Sequence, residues 1–520
     1  MPDAAAREIE LKLELSPSDA ARILDHPLVH RHAVGPAQSR QLLSVYFDTR
    51  ELGLAKAGIG LRLRHTGDEQ VQTVKWGEGA AAGLFERGEL EVAVSGQRPV
   101  LYAIPDEALR ERIREALRGE PLEPIFETEM RRTHCLLRDG ADEWSLDLDE
   151  GEIRAQDASL PFCELELELV RGDPARLYEL ALELCESFEL RVGLRSKAER
   201  GYALRSGSGP VPRKAREVEL PDGATLDTAL RDIARACLGQ IGVNLEPAFE
   251  GTDPEGVHQM RVGVRRMRSV FSVFRPVLPD DRTRALRDEL RWLASELGEV
   301  RDLDVFVGEL LGPLAGPRGD DVALKRLRVE AEELRDERRR SLRETLYSRR
   351  LTRLLLSLGH WIARSSWREQ ALSETSALLF QPARSFSDSL LERLHQRVGK
   401  LGRAAVTGPP PARHELRIAL KKLRYACEFF GSLYEGRDAR RYLRRLSRLQ
   451  DVLGALNDVA TAGRVLQELL GRVGPPDADS LARTVGFIEG FAAREDELSL
   501  RELATLWKRF ARTHPFWEHD

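Results

Sequence analysis

Cysteine is scarce in this chain: five residues, at 135, 163, 185, 237 and 427, and no CxxC spacing among them. Neither a disulfide frame nor a cysteine zinc site is indicated, and a reducing cytoplasm is the expected setting. Long apolar runs are missing as well. None approaches the length that spans a bilayer, and the start MPDAAAREIEL has no basic segment followed by an apolar core. A soluble, unexported protein with no membrane partner is expected. Net charge is also small, −5, with 80 Lys and Arg against 85 Asp and Glu. That gives no overall bias toward a polyanion, so the information lies in where each sign is placed.

A length of 520 residues allows roughly two to four domains. Periodicity stops once, at Arg205-Ser206-Gly207-Ser208-Gly209-Pro210-Val211-Pro212-Arg213-Lys214, a small, polar, proline-bearing stretch that reads as an exposed linker. Before it the chain is β-rich, with helical spacing over 16–25, 105–118 and 174–188 and with Ser16, Asp106 and Asp173 as helix starts. Beyond it almost every segment has the 3.6-residue period. An α+β organisation follows: a β domain with flanking helices over 1–205, a linker over 206–219 and a separate all-α domain over 220–520.

The β domain places charge unevenly. Glu8-Ile9-Glu10-Leu11-Lys12 alternates strictly, which sets two carboxylates and an ammonium on one strand face. Cys163-Glu164-Leu165-Glu166-Leu167-Glu168-Leu169 repeats the pattern with acids alone. Between these lie alternating runs whose polar face is basic: Arg62 and Arg64, Lys75, Arg87 ahead of Glu89 and Glu91, and Arg132 with His134. Crowded carboxylates repel unless something cationic sits among them, so the two kinds of strand imply one lined cavity. Its acids suit a hard divalent cation and its bases suit phosphate oxygens.

In chain order, EIELK, YFDT at 46–49, LRLR at 61–64, TVK at 73–75, LDEGE at 148–152, CELELEL and SKAERGY at 196–202 resemble a CYTH domain, the family of triphosphate tunnel metalloenzymes. The resemblance covers residues 8 to about 202 and implies an antiparallel β tunnel. It implies metal binding, Mg²⁺ or Mn²⁺, by Glu8, Glu10, Asp149, Glu166 and Glu168. Lys12 would contact substrate and act with Glu8 and Glu10 in catalysis. Arg62, Arg64, Lys75, Arg87 and Arg132 would hold the triphosphate, and Lys197 would come from the segment closing one end. Asp48 is read equally well as a turn residue capping the next segment, and Glu164 is set aside as a residue behind the metal site.

The helical half is internally duplicated. His258-x-x-Arg261-x-x-x-Arg265-Arg266-x-Arg268 recurs as His414-x-x-Arg417-x-x-x-Lys421-Lys422-x-Arg424, an offset of 156 positions (414 − 258). The same offset carries Leu297-Gly298 onto Leu453-Gly454 and Asp302 onto Asp458, so the repeats run over about 256–304 and 412–460. Two related helical bundles are expected. At about 100° per residue, Met260, Val264, Met267, Phe271 and Phe274 form a core stripe opposite His258, Arg261, Arg265 and Arg268. Leu416, Leu420, Leu423, Cys427 and Phe430 do the same opposite His414, Arg417, Lys421 and Arg424, with Tyr425 beside them.

Like charges at one-turn spacing repel, and a linear anion bridging them removes that cost. A solvated face whose arginines pair with Asp302, Asp304 and Asp458 would give the same pattern. Few aromatics stand on these faces for bases to stack on, which disfavours nucleic acid. With LGEVRDLD and LQDVLGALND, the repeats resemble the CHAD family, the conserved-histidine α-helical domain, over about 220–515. That resemblance implies binding of inorganic polyphosphate by His258, Arg261, Arg265, Arg266, Arg268, His414, Arg417, Lys421, Lys422 and Arg424, and a cytoplasmic place at polyphosphate granules. The combined expectation is a metal-dependent inorganic triphosphatase. A polyphosphate-targeting protein without turnover, and a tunnel enzyme acting on thiamine triphosphate, a nucleotide or ATP cyclisation, are the alternatives.

Overall fold

The computed structural model describes residues 6–67, 69–77, 82–251, 253–314, 321–434, 436–472 and 478–518. Alternation becomes strand throughout the first part: β1 Ala6–Glu14, β2 Gln38–Asp48, β3 Ile59–Thr66, β4 Glu69–Trp76, β5 Leu84–Ala93, β6 Glu123–Asp139, β7 Asp142–Ala155, β8 Ala158–Arg171 and the short β9 Arg191–Val192. Their order is β5-β4-β3-β2-β6-β7-β8-β1-β9, and β1 also pairs with β5, so the first eight strands close on themselves. Every pairing is antiparallel. Closure leaves no free edge, and alternate residues of each strand must face the lumen.

Helices form where the spacing predicts them, at Pro17–Ile23, Glu107–Leu117 and Ala175–Ser187. Ser16 Oγ accepts from Asp19 N at 3.1 Å and Asp106 Oδ1 from Leu109 N at 3.0 Å, each meeting a backbone donor that the first turn leaves orphaned. Asp173 Oδ1 accepts from Ala175 N at 2.9 Å. The helix Glu107–Leu117 lays Leu109, Ile113 and Leu117 against Phe47, Leu61, Leu63 and Val74, the outward faces of β2, β3 and β4.

The chain separates into two compact units, and the division crosses the sequence more than once. Residues 245–251 and 347–366 belong with 1–212, and the remainder forms the second unit. Within the first unit the helix Arg349–Ala363 packs on Ala175–Ser187, with Gly359 so near the Tyr178 ring that a Cβ there would lie 2.3 Å from Cε1. Glu179 accepts from His360 at 3.2 Å and Asp173 pairs with Arg364 at 3.1 Å.

In the second unit the duplication extends further than the motif. Helices Pro254–Val273 and Asp280–Val305 begin 156 positions (410 − 254, 436 − 280) before Pro410–Phe430 and Gly436–Arg472. Val322–Tyr347 stands in the same relation to Ala478–Phe510 (478 − 322), and Leu226–Val243 precedes Ala383–Ala405 by 157 (383 − 226). All ten residues of the two expected core stripes are buried. Among the described residues no helix is long and apolar enough to cross a membrane.

Candidate functional site

Side chains directly opposite on neighbouring strands share a face, so the register alone traces the lumen wall. On β1, Glu8 stands opposite Arg87 of β5, Glu10 opposite Glu168 of β8, and Lys12 opposite Glu166. Across β8 and β7, Glu166 meets Asp147 and Glu164 meets Asp149. Asp149 and Asp147 then meet Arg132 and His134 of β6. On the far side Tyr46 and Ser44 of β2 meet Arg62 and Arg64 of β3, and Lys75 of β4 meets Glu89 of β5. The strands thus bring Glu8, Glu10, Lys12, Arg62, Arg64, Lys75, Arg87, Arg132, Asp149, Glu166 and Glu168 onto one enclosed surface, with acids concentrated on β1, β7 and β8, while Lys197 comes from the helix Lys197–Ser206.

Most of these charges neutralise one another. Lys12 Nζ pairs with Glu10 at 3.0 Å and with Glu166. Lys75 reaches Glu8 at 2.6 Å and Glu89 at 3.1 Å, and Arg87 pairs with Glu10. Arg132 grips Asp149 through Nε and Nη2 at 2.7 and 2.6 Å and Glu166 at 2.6 Å. Lys197 touches Glu164, Asp149 and Glu166 at 2.6, 2.8 and 2.8 Å, while Arg200 pairs with Glu164. Burial opposes ionisation of Glu10, but Lys12, with Lys75 and Arg87, brings its carboxyl down to about 2. Glu166 is likewise held well below the usual range against burial, by Lys12, Lys197 and Arg132.

Two groups escape this matching. Glu168 makes no ion pair among the described residues, and burial together with the charges of Glu8 and Glu10 pushes its carboxyl up to about 7. Arg64 makes none either; its Nε is buried without a hydrogen-bond partner. Burial and the neighbouring charges of Arg62 and Arg132 lower it to about 10. One buried Glu8 oxygen, Oε2, also lacks a hydrogen-bond partner. Among the described residues no three acidic, histidine or cysteine side chains gather closely enough to hold a metal ion as they stand, because ammonium and guanidinium groups lie between the carboxylates.

One side of the lumen is sealed by apolar packing. Tyr46 stacks on Phe126 at 4.4 Å, and Tyr202 meets Phe126 edge-on at 5.1 Å. Tyr202 belongs to the helix Lys197–Ser206, started by a capping box of Ser196 and Glu199. Gly201 lets that helix seat, since a Cβ there would come within 2.2 Å of the Phe126 ring. Asp48 does not line the site. Its Oδ1 accepts from Thr49 N and Leu54 N at 2.7 and 2.8 Å, and its Oδ2 from Ala55 N at 2.9 Å, so it caps the turn after β2. Asp147 and Glu89 were missed as site residues, although each alternates with a residue that was found.

In the helical unit the two basic faces look at each other. Arg265 Nε donates to Tyr425 Oη at 2.6 Å, joining the first repeat to the second. Burial lowers Arg261, reinforced by the charges of Arg265, Arg301 and Arg417. Lys421 falls to about 7, through burial and the charges of Arg417, Arg265, Arg261 and Arg424. His258 is depressed by burial and by Arg301, a neighbour from the next helix that sequence phasing does not reveal. Asp302 is paired with Arg464 at 2.6 Å and Asp304 with Arg339 at 2.9 Å, both outside the repeated motif. Arg424 pairs with Glu428 at 3.3 Å; Arg268 and His414 are exposed and Lys422 is half-buried. Arg266 turns inward instead: it is buried, donates to Gln240 at 2.7 Å and lies over the Phe429 ring.

Comparison with known proteins agrees with both halves. The CYTH domain model matches residues 6–202 and the CHAD domain model residues 232–467. An inorganic triphosphatase of Haemophilus influenzae is 29% identical over 213 residues, 40% of this chain and 57% of that protein, so the chain spans a little over half of that relative's length. An uncharacterized protein of Mycobacterium tuberculosis is 27% identical over 434 residues, 77% of this chain and 78% of its own. The crystal structure of the CHAD domain from the plant Ricinus communis superposes with a TM-score of 0.50 at 34% identity, covering 58% of this chain and 97% of that one. The chain therefore carries a CYTH domain closed into an eight-stranded antiparallel barrel, followed by a helical region that belongs to the CHAD family.

Proposed function

We propose that the barrel lumen hydrolyses inorganic triphosphate to pyrophosphate and phosphate with Mg²⁺ or Mn²⁺, and that the helical unit binds inorganic polyphosphate. The observation that carries the first part is the pair of unmatched charges in one lumen, the Glu168 carboxyl on the acidic wall and the Arg64 guanidinium on the basic wall. A metal–triphosphate complex presents the complementary pair. Glu8, Glu10 and Glu168 would hold the cation, an assignment favoured by the Glu8 oxygen that has no hydrogen-bond partner and only a 3.9 Å ion pair to Arg87, with Asp149 and Glu166 as further oxygen donors. Bound there, the ion supplies Lewis-acid polarisation of a phosphoryl oxygen.

The protein's own groups do the rest. Arg62, Arg64, Lys75, Arg87 and Arg132 would grip non-bridging oxygens and stabilise charge as it grows on the leaving pyrophosphate. Lys12 and Lys197, both buried on Glu166, would fix the chain along the lumen. An organic triphosphate needs a surface for its ring. Here Tyr46 and Phe126 stack on each other, Phe47 lies in the outer core, and Phe85 sits beneath Arg87 and Lys12. That packing favours an inorganic substrate, as does the name borne by the Haemophilus relative.

Arg64→Ala tests the reading directly. A charge-assisted contact in a dry site is worth about 1.5–3 kcal/mol, so turnover of tripolyphosphate should fall about tenfold or more. Normal kcat/KM in a folded Arg64→Ala variant would refute the basic wall as the phosphate site.

In the helical unit, a lysine brought to about 7 gains its proton only as pH falls. Polyphosphate affinity, measured by titration at fixed ionic strength, should therefore weaken between about pH 6 and 8.5 and take up a proton on binding near neutrality. Lys421→Arg, always charged, should flatten that profile.

A further inference from the structure

We infer that Glu246 is a positioning residue for the barrel site: a carboxylate supplied from the helical half of the sequence fixes the segment that brings Lys197 into the lumen. The inference rests on the lumen reading above and adds to it a residue outside every strand and motif of the barrel.

Residues 245–251 and 347–366 lie within the stretch that the CHAD domain model matches, yet both pack with the barrel unit. They meet each other there, the Phe249 and Tyr347 rings standing 4.7 Å apart. The Arg191 guanidinium of β9 lies 4.9 Å from the centre of the Tyr347 ring and pairs with Glu14, the last residue of β1, at 3.5 Å. Glu246 shares the short helix Leu245–Phe249 with Phe249, and its carboxylate pairs with Arg195 at 2.5 Å.

Arg195 stands directly before Ser196, the residue that caps the helix Lys197–Ser206. Two positions earlier, Gly193 N donates to Lys12 O at 2.9 Å, and a Cβ on Gly193 would come within 3.0 Å of the Lys12 side chain. The stretch from 193 to 197 is therefore tied to a lumen strand at its start and ends at Lys197, whose ammonium reaches Asp149, Glu164 and Glu166. Between these points Arg195 makes its one ion pair among the described residues, to Glu246. The charge of Glu246 is also felt by Arg200, one turn into the helix, which pairs with Glu164. A lysine is a point charge on a flexible stem, so the place of its ammonium follows the backbone that bears it. Misplacing a reacting group by about 1 Å costs up to about a hundredfold in rate; loss of one anchor among several should cost about tenfold.

Burial raises the Glu246 carboxyl; Arg195, by charge and hydrogen bond, pulls it down, and Glu250 and Glu14 push it up again, leaving it above the usual range. The pair with Arg195 is thus lost, as pH falls, sooner than an ordinary glutamate would lose it.

The test uses the full chain and steady-state hydrolysis of tripolyphosphate at saturating metal. Glu246→Gln has the shape and charge of the protonated residue and should lower kcat/KM about tenfold without moving the thermal midpoint, since a partly exposed ion pair adds little to stability. Arg195→Gln, which breaks the pair from its other side, should reproduce the deficit. The ratio of unchanged protein to Glu246→Gln should shrink toward one as pH falls, because the unchanged protein then comes to resemble the variant, while titration of Glu168 affects both alike. In a Lys197→Ala background Glu246→Gln should cost little, because its effect passes through Lys197. Unchanged kcat/KM in Glu246→Gln or in Arg195→Gln, a deficit constant across pH, or strict additivity with Lys197→Ala would overturn the positioning role and leave the lumen reading standing. Absence of turnover in the unchanged protein would overturn both.

Discussion

Glu10→Gln should keep the barrel folded and lose about a hundredfold or more of its tripolyphosphate hydrolysis. The carboxyl is buried at 2% exposure, opposite Glu168, and paired with Lys12 and Arg87. Gln retains the size and can still accept from one of the two cations through its single carbonyl oxygen, so the strand register has little reason to change. What it removes is an anionic oxygen donor, and Lewis-acid stabilisation of a phosphoryl transition state is worth several kcal/mol. Raising Mg²⁺ or Mn²⁺ should restore part of the rate, because a weakened site fills at higher concentration. Full activity at ordinary metal, with circular dichroism unchanged, would remove Glu10 from the metal site.

Alanine at Arg261, Arg265, Arg417 and Lys421 together should abolish binding of long-chain polyphosphate by the full-length protein. Burial lowers Arg261, Arg417 and Lys421, and the charge of Arg265 lowers each of them further, which places the four in one field across the two repeats and makes a bridging polyanion favourable. In the unchanged protein the affinity should fall steeply with salt, as expected when many Lys and Arg displace counterions. Hydrolysis of tripolyphosphate should persist in the variant, since none of the four lies in the barrel. Retained polyphosphate affinity at fixed ionic strength would mark the faces as ordinary solvated surface.

The barrel was legible because alternation carries both conformation and side. Once Glu8, Glu10 and Lys12 were assigned to one face, antiparallel pairing had to bring them against the parallel pattern of Glu164, Glu166 and Glu168. Charge matching was less legible. Nothing in local pattern says that Lys75 prefers Glu8 while Arg64 goes without a partner, because those distances depend on barrel closure. In the helical half the offset of 156 positions foretold a repeat, and its extension to the flanking helices was hidden because those helices share phase rather than residues. Arg266 was misplaced for a related reason: on the boundary between core stripe and basic face, a guanidinium reads as surface until a buried partner such as Gln240 is seen. The helix Arg349–Ala363 looked like part of the all-α half, and its contacts with Ala175–Ser187 and with β9 assign it to the barrel unit.

Phosphate release from tripolyphosphate, ATP, thiamine triphosphate and long-chain polyphosphate, each with Mg²⁺ and with Mn²⁺, tests the central claim most directly. The account predicts that tripolyphosphate is cleaved fastest, to one phosphate and one pyrophosphate, and that omitting the metal stops the reaction. Release from none of the four with either metal, or faster release from an organic triphosphate than from tripolyphosphate, would contradict it.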